Sequence, residues 1–135
     1  MATLIDTRLW VDFTRTRSPK ALKRFIAPFI LDPDAHLAEP VVFEITRHAT
    51  PAENRQLARQ FQTLPLLATP ADLWTQAAGL GQACRQRSIM ASSLDLLVAS
   101  IAIHHGAELV TFDRDFQKIA GVLNLRVKFL TRPAP

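Results

Sequence analysis

Two short runs of β-branched and apolar residues, Thr3-Leu4-Ile5 near the start and Leu109-Val110-Thr111-Phe112 near the end, each stop on an aspartate, Asp6 and Asp113. Most of the chain between them is patterned as helix. Strands that alternate with helices are joined by crossovers, so neighbouring strands run parallel and helices cover both faces of the sheet. In such sheets the groups that meet ligand gather beyond the carboxyl ends of the strands. Both aspartates stand there. The alternation predicts an α/β fold with three layers, α/β/α, around a central parallel sheet of four or five strands.

Local punctuation divides the chain further. A strand over 3–6 leads into a short helix around 8–15. Ser18-Pro19 has the form of an N-cap followed by proline, opening a helix to about Ile30 that Leu31-Asp32-Pro33-Asp34 breaks. Pro40 starts a helix carrying Val41, Val42, Glu44 and Ile45. Thr50-Pro51-Ala52-Glu53 is a capping box for a helix through Phe61. Leu64 to Ala68 reads as a strand, and Thr69-Pro70-Ala71-Asp72 as the cap of a helix to about Arg87. Ser92 opens the most apolar helix, which Gly106 ends. Glu108–Phe112 is a strand, Arg114–Ala120 a short helix and Arg126–Leu130 a last strand. Residues 1–131 are expected to form a single domain, and 132–135 a frayed Pro-rich tail.

With 135 residues, 48% of them hydrophobic, one core can form without a metal or disulfides. The one cysteine, Cys84, has no partner and is expected to pack, and it fits a reducing compartment. Asp6 interrupts any apolar leader, and no apolar run approaches the roughly 20 residues that cross a bilayer. A cytoplasmic protein with no membrane partner is expected. The net charge is +4, with Arg8, Arg15, Arg17, Lys20, Lys23 and Arg24 crowding the first quarter and Arg126, Lys128 and Arg132 closing the chain. Such runs suit a solvated face or contacts to phosphate.

Helices deliver more acids. Glu44 sits within an otherwise apolar stretch, and Asp95 lies in the first turn of the Ser92 helix. Carboxylates drawn onto one patch repel each other, and a divalent hard cation relieves that repulsion. Such a cation activates water and stabilises phosphoryl charge. Each acid also has an ordinary role open to it. Asp113 and Asp115 suit a helix cap, Asp95 the N3 place of a capping box, and Glu44 a pair with Arg47. Asp6 suits a bond to Arg8 or a nearby amide, and Asp12 a solvated helix face.

In order and context, TLIDT, VVFEIT, SSLDLLVASIA and LVTFDRDF resemble the PIN-domain ribonucleases, specifically the VapC toxins of bacterial toxin–antitoxin pairs. The resemblance runs from about Leu4 to Leu130, and DLLVASIAIHHGAELVTFDRDF is its most specific block. It implies a PIN-like fold and a metal-dependent endoribonuclease, a hydrolase of phosphodiester bonds. Asp6, Glu44, Asp95 and Asp113 would be its catalytic acids. Asp6, Asp95, Asp113 and Asp115 would bind the metal, Mg²⁺ or Mn²⁺. Thr111 would orient the last acid or a water on the metal, and is placed with Arg8 among the substrate-binding residues. The substrate would be single-stranded or structured RNA, including tRNA, cut by metal-activated water. A cognate VapB-type antitoxin would block the site, and the toxin would be a homodimer.

Arg8 departs from the family pattern, which has a small polar residue there. It would compete with metal for the acids, grip phosphate or point outward. The first role favours the alternative reading, a catalytically inactive PIN-like module that binds RNA or protein. An aspartyl-phosphate phosphatase is disfavoured, because the second acid of its D-x-D would fall on Arg8. His104 and His105 are expected to cap and pack, His36 and His48 lack ligand-like companions, and Trp10 and Trp74 are read as core.

Overall fold

The structure is a computed structural model and describes residues 1–134. Four strands make one sheet: β1 (Thr3–Ile5), β2 (Ala35–His36), β3 (Glu108–Thr111) and β4 (Arg126–Phe129). Their order is β2-β1-β3-β4 and every pairing is parallel. Seven helices surround them: α1 (Thr7–Thr14), α2 (Lys20–Ile30), α3 (Glu39–Thr46), α4 (Pro51–Phe61), α5 (Leu73–Gln86), α6 (Ser93–His105) and α7 (Asp115–Ala120). The result is the α/β/α architecture that the alternation of elements predicts.

β1 and β3 form the centre of the sheet, so their side chains are covered on both faces. Leu4, Ile5, Leu109 and Val110 are fully buried, which is why these strands are continuous apolar runs instead of alternating ones. Leu4 lies beside Leu109 and Ile5 beside Val110. The residues that follow each strand therefore leave the sheet side by side. The Asp6 amide donates to the Val110 carbonyl (3.0 Å) and extends this pairing by one residue.

The helix boundaries follow local chemistry. Thr50 and Glu53 form the reciprocal capping box at the start of α4. Ser92 caps α6 through the Asp95 amide, and Gly106 ends it at φ +62°, a left-handed conformation that costs glycine little. Two expected caps differ. Ser18 makes no cap bond and α2 begins after Pro19, while α5 begins after Asp72 without a side-chain cap. Thr69 instead donates to Glu39 Oε1 (2.6 Å), tying the approach to α5 onto α3.

The expected strand at 64–68 contributes only one bridge, Leu37 to Leu66. Pro65 has no amide to give to a ladder, and only Leu67 in the segment is buried. The second strand lies instead at Ala35–His36, directly after the break at 31–34, in a stretch with no expected element. Trp10 is core as expected and meets Phe61 edge-on at 5.3 Å. Trp74 is not core. It is 73% exposed. Cys84 is buried, which pushes its thiol up and leaves it to pack. No helix among the described residues is long and apolar enough to cross a membrane.

Candidate active site

The site begins where β1 and β3 end. Asp6 caps α1 by accepting the Thr7 amide on Oδ1 (2.8 Å), and its other oxygen accepts the Thr111 hydroxyl (2.6 Å). The same hydroxyl accepts the Asp113 amide (2.9 Å), and Asp113 Oδ1 accepts the Asp115 amide (2.9 Å). One continuous set of hydrogen bonds thus fixes the first acid against the last two. Thr111 is fully buried, with its hydroxyl turned towards Asp6 and Asp113. It acts on Asp6 and on the backbone of Asp113.

Helices bring the remaining acids to the same place. The cap at Ser92 sets the first turn of α6, which carries Asp95. Glu44 arrives on α3, which packs against both α1 and α6. Asp6, Glu44, Asp95 and Asp113 all line one cleft of about 540 Å³. The acids that the sequence singles out converge instead of dispersing over the surface.

Their charges interact. Burial pushes the Asp6 carboxyl up to about 6, against the lowering effect of its bonds to Thr111 and Thr7, and the charges of Asp95 and Asp113 add to the rise. Burial also pushes Asp95 up to about 6, helped by Asp113, Asp115 and Glu44. Acids held this far above their ordinary range are poised to take a cation.

The donor set fits a hard divalent ion. Asp95, Asp113 and Asp115 each offer a carboxylate oxygen within 4.8 Å of the others'. All the donors are carboxylate oxygens, the type that Mg²⁺ and Mn²⁺ take. Asp6 stands beside this trio with both oxygens already accepting hydrogen bonds, although each keeps a free lone pair. Asp115 is also 3.8 Å from Lys118 Nζ.

Basic residues surround the acids. Arg8, Arg15, Arg47, His48 and Arg132 line the same cleft. Arg8 points at Asp12 (Nε to Oδ1, 3.8 Å), one helical turn away on α1. Asp12 itself is buried, not solvated as its helix position suggests, and it accepts two bonds from Arg132. Arg132 is accordingly no frayed tail residue; Pro135 lies outside the described residues. The i, i+4 spacing of Arg8 and Asp12 was a signal in the sequence for half of this arrangement. Nothing local announces the other half, because Arg132 is 120 positions away.

His105 lies 2.7 Å from the Ala68 carbonyl and edge-on to His104, in keeping with a packing role. His36 lies 2.6 Å from the Asp34 carbonyl. His48, which has no ligand-like neighbour in sequence, is placed at the cleft by the end of α3.

The family model described as PIN domain matches residues 3–122. The chain is 33% identical over 128 residues to VapC ribonuclease Mb1587 of Mycobacterium bovis and to ribonuclease VapC11 of Mycobacterium tuberculosis; each alignment covers 91% of this chain and 95% of the relative. Among solved structures, that of VapBC2 from Rickettsia felis bound to a DNA fragment from their promoter matches with a TM-score of 0.77. Its sequence identity is 18%, and the match covers 97% of this chain and 100% of that one.

Proposed function

The chain belongs to the PIN-domain family, and from that membership we propose that it is a ribonuclease toxin of the VapC type, neutralised by a VapB-type antitoxin. Residues 1–131 act as one such domain, and the toxin pairs with a second copy of itself. The reaction is hydrolysis of an RNA phosphodiester. The observation that carries this reading is the convergence of Asp6, Glu44, Asp95 and Asp113 on one cleft, with Asp115 close to two of them.

Asp95, Asp113 and Asp115 would hold Mg²⁺ or Mn²⁺, with Asp6 alongside. When bound, the ion lowers the pKa of water and stabilises charge on the phosphoryl group. The protein's own part is preorganisation. Thr111 and Thr7 fix the Asp6 carboxylate, and Ser92 fixes the helix turn that presents Asp95. Glu44 adds negative charge beside Asp95 and strengthens its demand for a cation. The arginines at the rim draw the polyanion towards an acidic floor that would otherwise repel it.

The reading as a module that binds without cutting draws its support from Arg8 neutralising the acids. Arg8 is instead engaged with Asp12. Cleavage of RNA by the purified protein, with Mg²⁺ or Mn²⁺ and with Asp95→Asn beside the wild type, tests the proposal. The substitution is expected to slow cleavage about a hundredfold or more. Equal rates would remove this cleft as the catalyst.

A further inference from the structure

One acid of the cleft's neighbourhood takes no part in the carboxylate cluster. Asp12, on the inner side of α1, keeps only 9% of its side chain exposed, and it faces two arginines. Arg132 donates to Oδ2 through both Nε (3.1 Å) and Nη2 (2.9 Å), and Arg8 approaches Oδ1 at 3.8 Å. The arginine side chains remain 45% and 53% exposed. Arg132 also lies over the ring of Phe112, 4.6 Å from its centroid, and Phe112 immediately precedes Asp113. Two cations held by one anion leave a net positive charge at the mouth of the cleft.

This is more apparatus than tethering a chain end requires. An exposed ion pair gains little, whereas here a buried carboxylate and an aromatic face hold one guanidinium in a single orientation beside the acidic floor. A fixed guanidinium suits the planar, forked recognition of phosphate oxygens. We propose that Arg132, positioned by Asp12 and Phe112, binds a backbone phosphate of the RNA next to the scissile one, with Arg8 as a second donor. This assignment rests on the ribonuclease reading, and it makes Asp12 a positioning residue.

Binding of a short fluorescein-labelled oligouridylate, followed by anisotropy in EDTA across a salt series, tests it without turnover. Arg132→Ala is expected to weaken binding about tenfold, as for the loss of one charge-assisted contact. It should also make the dependence of log K on log salt shallower by about 0.7, the value for one single-strand phosphate. Arg132→Lys should restore the slope but not the full affinity, because the charge returns without the fork. Asp12→Asn makes the rim more positive, yet is expected to weaken binding because Arg132 loses its tether. Tighter binding by Asp12→Asn would show that the carboxylate merely masks the cation, and would overturn the proposal. So would an unchanged affinity and slope in Arg132→Ala, whatever happens to its melting temperature. A protein that binds as described but never cuts overturns the ribonuclease reading; one that cuts while Arg132→Ala binds as wild type overturns this assignment alone.

Discussion

Asp6 and Asp95 ionise near 6 in the folded protein, against an ordinary value of 3.8. Between those values the folded chain holds more protons than the unfolded one, so these two acids cost stability progressively as pH rises from about 4 through 6. Asn at position 95 carries no charge and escapes its share of that cost. Asp95→Asn is therefore expected to melt higher than wild type at pH 7.5 in EDTA, with the gap closing near pH 4 and reversing when Mg²⁺ is added at pH 7.5. Thermal melts at the two pH values check this, and a gap that ignores pH would contradict it. At this scale, Asp6, Asp95 and Asp113 were readable because each follows a local signal, a strand's end or a helix's first turn. The buried pairing of Asp12 with Arg132 was not. It depends on a tertiary contact across nearly the full chain, and helical position alone describes Asp12 as a surface residue.

Secondary-structure elements deliver these side chains, and their end signals do much of the aiming. The Ser92 hydroxyl takes the Asp95 amide at 3.1 Å and so shapes the turn that presents the carboxylate. Ser92→Ala is expected to cost about 1 kcal/mol in chemical denaturation. It should slow cleavage less than Asp95→Asn does, since the acid remains while its placement loosens. Helices with strong periodicity or a capping box were legible, α4 and α6 above all. The difference at 64–68 has a plain cause: apolar composition predicts a ladder, but a proline in the run interrupts it, and only Leu67 turns fully into the core. β2 escaped notice because two residues carry no detectable alternation; its partner β1 creates it.

Across the whole molecule, one face is unlike the rest. Phe43 and Trp74 are 56% and 73% exposed and, with Pro40, Leu73, Leu94 and Leu97, line a shallow apolar depression between α3, α5 and α6. The helical spacing of Leu73, Ala77 and Leu80 correctly marks the buried side of α5, but pattern alone cannot say that Trp74 lies off it. Pairing of two copies would cover this surface. Trp74→Glu is expected to shift the purified toxin from dimer to monomer in analytical ultracentrifugation while leaving its melting profile cooperative; a wild-type sedimentation pattern would place the pairing elsewhere. The chain's connectivity carries a last consequence. Asp6 acquires its neighbours Val110 and Thr111 only when the strand after α6 takes its place beside β1. A chain cut short anywhere before that strand would lack Thr111, Asp113 and Asp115 altogether, so no folding of the remainder could gather the acidic cluster.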